Sequence, residues 1–249
     1  ILAPRPLDLS AAIGDLAVEA YWRIDRPTLA EVWPALPERD RAWTLRHWGG
    51  LMARLHRIRF PGHGALAAGG KDSLAAFLQS DLGTRLLPAV QQTWPEAVRA
   101  VDRLLKQIGV IAPRVDRNGV LVHNDLHMHN VLCERSKHLV RSIGVLDLEA
   151  AFAGPPEADM AHTEVLHGPL LGKQLPEGWI EEVLTGYGRE LDPVVRAYFR
   201  AFHLVNFGYH AALCDWPDHA ADLLQAAEEN LSLTSDTSTT PSRSRALTA

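Results

Sequence analysis

Cysteine is nearly absent from this 249-residue chain, which holds only Cys133 and Cys214. Two cysteines exclude a disulfide framework and any cysteine-rich zinc site. Long hydrophobic runs are also lacking. No apolar stretch approaches the roughly 18–20 residues that a membrane span needs, so no membrane partner is expected. The opening ILAPRPLDL has neither a basic n-region nor an apolar h-region and is not a secretory signal. It also has no initiator Met, so the chain is expected to be processed, trimmed or a fragment. A basic excess is missing too. The net charge of −5 argues against nucleic acid as the main partner. Cytoplasm is the expected setting, and nothing bears on oligomeric state.

The composition, 47% hydrophobic and 22% charged, fits a globular protein of one large domain or two small ones. Charge is unevenly spread: residues 150–230 carry 13 acids against 4 bases. Such a segment is either a solvated helix surface or, beside a site, an attraction for a cationic ligand.

Residues 16–24, LAVEAYWRI, have the β-branched and aromatic content of a strand. Residues 38–58 repeat apolar positions at helical spacing through Trp48, Leu51, Met52 and Leu55. Gly49 and Gly50 either weaken that helix or allow a neighbour to pack closely. FPGHGALAAGGKD (60–72) is expected to be a surface loop, and 73–80 and 84–109 to be helices. Then the texture changes. GVLVH (119–123), VLCE (131–134) and SIGVLDLE (142–149) are short β-rich pieces between polar turns. From 158 to 230 the helical period returns, interrupted by prolines. The Ser/Thr-rich end 231–249 is expected to be disordered. Chemistry is expected at the β patch, where short strands hold loops.

That patch contains VLVHNDLHMHNVLC (120–133). On a strand, His123, Asp125, His127 and His129 would share one face, and three His with a carboxylate suit zinc or iron. A metal-dependent hydrolase is therefore one reading. The sequel favours another. His123 to Asn130 fits H-x-D-x-x-x-x-N, and Asp147 follows Gly144-Val145-Leu146, 22 residues after Asp125. This is the order of a kinase catalytic loop and its metal-binding aspartate. An aspartate there accepts the hydrogen of the attacking hydroxyl, while Asn and a second Asp hold Mg²⁺ on the phosphates. Hard oxygen ligands suit Mg²⁺, whereas imidazoles do not.

The chain here resembles the aminoglycoside phosphotransferase-like kinases, a family that also includes choline, homoserine and fructosamine kinases. HNDLHMHNVL looks like H-G-D-L-H-x-x-N-V-L, and GVLDLEAAFAGPPEADMAH looks like the segment carrying the metal aspartate and a D-L-A turn. LMARLHRI is similar to the L-A-x-L-H that ends the helix below the nucleotide site, and LAVEAYWRI to the hinge strand. Together these cover roughly residues 1–230.

The resemblance implies an α+β, protein-kinase-like fold with a mostly helical C-terminal lobe. It implies an ATP- and Mg²⁺-dependent phosphotransferase acting on a small-molecule hydroxyl. Asp125 would be the catalytic base, and Asn130 and Asp147 the metal ligands. Glu149 is expected to reach metal through water. His123 and His127 would shape the loop, and Asp159 would cap a helix or brace the loop. Glu19, Ala20 and Tyr21 fall at the hinge that bonds adenine. Helices after residue 150 would build the acceptor pocket, so their acids point to a cationic, aminoglycoside- or antibiotic-like acceptor.

Three departures stand out. Asn124 replaces the usual Gly and suits a positive φ better than other side chains. His129 also replaces a Gly and is expected in solvent. No Gly-rich loop or strand lysine precedes Glu19, so residues 1–24 read as a remnant of an N-terminal lobe with the hinge strand, and 25–230 as the C-terminal lobe. The alternative function is a kinase-like fragment without activity that only binds a ligand or partner. His203, Asn206, His210 and Asp215 have near-helical spacing and form either a pocket wall or a polar helix face.

Overall fold

The computed structural model describes residues 6–13, 16–21, 24–136, 139–170 and 175–236. β1 (Pro6–Ile13) and β2 (Leu16–Tyr21) form an antiparallel hairpin, with Ser10 opposite Glu19 and Pro6 opposite Tyr21. The register shifts between Pro6 and Ser10, facing Ala20. The expected hinge residues thus lie on a strand.

Thr28 starts α1 (Leu29–Val32) with a capping box: its hydroxyl accepts from Glu31 N, and the Glu31 carboxylate accepts from Thr28 N at 2.7 Å. α2 (Glu38–Leu55) buries the stripe read from the sequence, with Trp48, Leu51, Met52 and Leu55 nearly inaccessible. Gly49 is there for close packing. A Cβ on it would lie 1.9 Å from the Val183 carbonyl oxygen, whereas one on Gly50 would meet nothing nearer than 3.6 Å. Gly49→Ala should force two backbones apart and cost about 1–3 kcal/mol, lowering Tm by roughly 2–12 °C. Gly50→Ala should be neutral or stabilising, because Ala favours helix. Thermal melts of the two variants check this, and equal stabilities would contradict it.

The stretch expected as a surface loop contributes β3 (Gly64–Ala65), which pairs with a later strand. α3 (Leu74–Gln79) continues through a π-helical segment, Ser80–Leu86, into α4 (Leu87–Thr93). The single helix expected over 84–109 is broken. Trp94 leaves helical geometry at φ −146° and ψ 68°, and Pro95 has no N–H to continue the ladder. α5 (Val98–Ile111) then runs with Val101, Leu104, Ile108 and Ile111 buried.

β4 (Val120–Val122) lies between two apolar clusters: Val120 and Val122 join the cluster of α5 and the later helices, and Leu121 joins the cluster around α2. Burial on both faces explains its unbroken apolar run. β5 (Val131–Ser136) and β6 (Leu139–Val145) form a hairpin with Val131 opposite Val145. β7 (Phe152–Gly154) is the middle strand of an antiparallel sheet in the order β3-β7-β4.

α6 (Pro156–Val165), α7 (Trp179–Tyr187), α8 (Pro193–Leu213) and α9 (Pro217–Asp236) complete the fold. Pro193 and Pro217 begin helices instead of interrupting them, as the first helical position allows. The disordered tail expected from 231 is corrected up to Asp236. Leu223, Ala227 and Leu231 recur at i, i+4 and i+8 and are fully buried, which carries the helix past the Ser/Thr-rich onset. Residues 237–249 lie outside the described residues. Among the described residues no helix is long and apolar enough to cross a membrane.

Candidate active site

The segment after β4 is a loop, not a strand. Residues 123–127 lead into a 3₁₀ turn at Met128–Asn130. Leu126 and Met128 anchor it by burial in the cluster around α2. The histidines therefore share no face: His123 is buried, His127 is half-buried and His129 is exposed, as expected. Asn124 has φ +60°, the left-handed value that fits Asn in place of Gly.

Asp159, on the first turns of α6, fixes this loop from below. Its Oδ2 accepts from His123 N at 3.1 Å and its Oδ1 from Asn124 N at 3.0 Å. Oδ2 also accepts from His56 Nε2 at 3.1 Å, and His56 Nδ1 meets the Tyr187 hydroxyl at 2.9 Å. Asp159 is inaccessible to solvent. Burial opposes its charge, but the His56 bond and the His123 amide outweigh it and hold the carboxyl at about 2. His56 and Tyr187 had no role assigned from the sequence. The signal for His56 was its place at the end of the Leu-rich LMARLH helix; Tyr187 had none, being 131 residues away.

Above this brace the chemistry-bearing groups converge. The Asn130 amide nitrogen donates to Asp125 O at 2.9 Å and to Asp125 Oδ2 at 3.0 Å. That leaves the Asn130 side-chain Oδ1 available as a ligand atom. His127 Nε2 lies 3.6 Å from Asp125 Oδ2. Burial would raise the Asp125 carboxyl, but the contact with His127 outweighs it and holds the group below the usual carboxylate range. Leu146 ties Asp147 to the loop: its N–H donates to Asn130 O at 2.9 Å and its carbonyl accepts from His123 Nε2 at 2.8 Å. Asp147, next in the chain, takes φ +57° and is exposed. A non-glycine residue held there is strained, a feature that clusters at functional sites. Glu149 is exposed two residues on.

Among the described residues no three His, Cys, Asp or Glu side chains form a metal cage. An amide oxygen and one carboxylate are instead the sparse hard-oxygen set with which Mg²⁺ is held when phosphates and water complete its shell. The residues fit that ion.

A cleft of about 410 Å³ opens beside Asn124. His203, Asn206 and His210 line it, as the pocket-wall reading of α8 expects; Asp215 does not. The expectation that acids of 150–230 line an acceptor pocket is not met here. Glu157 accepts from Asp192 N, Glu164 pairs with Arg196 and Arg200, and Glu182 pairs with Arg46. Their carboxylates are spent on contacts between elements, α6 with α8 and α7 with α2.

A family model described as "Phosphotransferase enzyme family" matches residues 1–201. The chain belongs to this family. No curated protein matches it. Solved structures show the fold. A thermostable mutant of aminoglycoside phosphotransferase APH(4)-Ia in ternary complex with ADP and hygromycin B has a TM-score of 0.67 at 17% identity, covering 92% of this chain and 76% of that one. The GDP complex of an aminoglycoside 2'-phosphotransferase-IIIa mutant scores 0.60 at 14% identity, covering 95% and 77%. The GDP and kanamycin complex of APH(2")-IIIa scores 0.58 at 16% identity, covering 92% and 77%. The phosphotransferase family member described here is thus mostly helical, with small antiparallel sheets and a kinase-like fold.

Proposed function

We propose that this protein transfers the γ-phosphoryl group of ATP to a hydroxyl of a small molecule. The observation that carries the reading is the Asn130 amide. It donates to both the backbone oxygen and the carboxylate of Asp125, and the Asn130 backbone carbonyl accepts from Leu146, the residue before Asp147. Asp125 accepts the hydrogen bond of the attacking hydroxyl and orients its lone pair toward the γ-phosphorus. Its low pKa suits a transition state in which the proton leaves late. Asn130 and Asp147 hold Mg²⁺, which neutralises charge on the phosphates. Glu149 reaches the ion through water. The backbone at Glu19, Ala20 and Tyr21 bonds the adenine. His123, His127 and Asp159 keep the loop in shape. Residues 25–230 act as the C-terminal lobe, with 1–24 as hinge and N-lobe remnant.

The neighbours' complexes with ADP and hygromycin B, and with GDP and kanamycin, support a nucleotide donor and a hydroxylated acceptor. Those ligands favour an antibiotic-like acceptor bearing hydroxyls; to this we add, as the sequence reading has it, a cytoplasmic setting and a resistance role. Asp147→Ala should abolish Mg²⁺-dependent nucleotide binding, because the only carboxylate ligand is lost. Calorimetric titration of ATP with and without Mg²⁺ checks this. Unchanged Mg²⁺ dependence in the variant would place the metal elsewhere.

A further inference from the structure

The walls of the cleft beside Asn124 bear on the acceptor. Phe77 of α3, Phe152 of β7, and Phe202 and Phe207 of α8 line it. The Phe77 and Phe152 rings sit 5.3 Å apart, and Phe77 and Phe207 are only half-buried, so ring surface faces the cleft. Aromatic surface of this kind rewards an apolar face.

Charge in the same walls is cancelled. Asp81 is the carboxylate lining the cleft among the described residues. Both of its oxygens are taken by Arg85, Nε donating to Oδ1 at 2.6 Å and Nη2 to Oδ2 at 2.9 Å. Arg85 Nη2 also donates to Asn206 Oδ1 at 2.8 Å, which fixes the pair across the π-helical segment and α8. A carboxylate engaged at both oxygens has little left for an ammonium group. His162 and His203 are buried in the wall, and burial pushes both imidazoles down, His162 to about 4. Both are neutral near pH 7. Asp125 and Asp147, beyond Asn124, are committed to the hydroxyl and the metal in the proposed mechanism. A polycation entering here would lose hydration without gaining opposite charge.

We propose that the acceptor is a hydroxyl-bearing ring compound of low net charge, seated with an apolar face on Phe77, Phe152 and Phe207. The assignment rests on the phosphotransferase reading and narrows it away from polycationic amino sugars.

Titration calorimetry on the full chain saturated with Mg²⁺ and ADP tests it. The probes are kanamycin, sucrose, and a set of neutral ring alcohols comprising macrolactone aglycones, sterols and flavonoids. At least one neutral ring alcohol should bind tenfold or more tightly than kanamycin or sucrose. Phe207→Ala and Phe77→Leu, checked for native circular dichroism, should each weaken that binding by about tenfold, the scale of one aromatic contact. Kanamycin binding tightest, and weakening in Asp81→Asn, would overturn the assignment. So would binding of none of the probes to the folded protein. Binding is read without turnover, so a failure of phosphoryl transfer alone would count against the kinase reading and leave the acceptor assignment standing.

Discussion

Asp125→Asn should lose roughly 10²–10⁴-fold in kcat, the usual weight of a general base, while its fold survives. The substitution keeps the shape of a half-exposed side chain and removes the negative charge. The hydroxyl then loses the group that draws its proton and aims its oxygen. The Asn130 amide can still donate to the backbone oxygen of residue 125, so the loop keeps one of its two ties. Substrate KM values should move little, because neither the acceptor walls nor the nucleotide contacts change. Steady-state transfer assays together with a thermal melt separate the two effects. Near-normal turnover in a folded variant would remove Asp125 from the chemistry.

Asp159→Ala should be the most destabilising of the substitutions considered. It strips a fully buried carboxylate from the amides of His123 and Asn124 and from the His56 ring. Breaking a buried charged network in this way costs about 3–5 kcal/mol, or a Tm drop of roughly 6–20 °C for a domain of this size. The pH dependence has a definite sign. The folded pKa of about 2 lies below the ordinary 3.8, so the contribution is complete above about pH 4 and is lost as pH falls through 2. Acid unfolding of the wild type should therefore steepen between those values, and the variant should lack that component. Melting curves from pH 7 to pH 2 measure both. A variant melting within about 2 °C of wild type, less than 1 kcal/mol at this size, would show that the loop is braced otherwise.

The geometry of the loop proposed as catalytic was legible because its contacts are local. Asp125, Asn130 and their spacing follow from five consecutive steps of chain, and the positive φ of Asn124 could be expected from the residue type. The α2 stripe was legible from its period, and the dual role offered for its glycines resolved only when Val183 was seen against Gly49. Elsewhere periodicity misled. Apolar spacing runs smoothly through Trp94 and Pro95, but a missing N–H outranks it and splits the helix. At the tail, Ser and Thr composition hid the Leu223–Ala227–Leu231 stripe. Least legible were contacts between distant segments. The His56–Asp159 bond spans 103 residues, and the bond from Arg85 to Asn206, which fixes Arg85 on Asp81, spans 121. Acid counts along the chain cannot show which carboxylates are already paired, which is why the acidic segment pointed to a wall that the cleft beside Asn124 does not draw from it among the described residues.

The most direct test of the account is phosphorus-31 NMR of the full chain with ATP, Mg²⁺ and an acceptor from the binding screen. The account predicts a phosphomonoester and ADP formed one for one, dependent on Mg²⁺ and lost in both Asp125→Asn and Asp147→Ala. Release of inorganic phosphate without any ester, or ester formation that persists in Asp147→Ala, would contradict it.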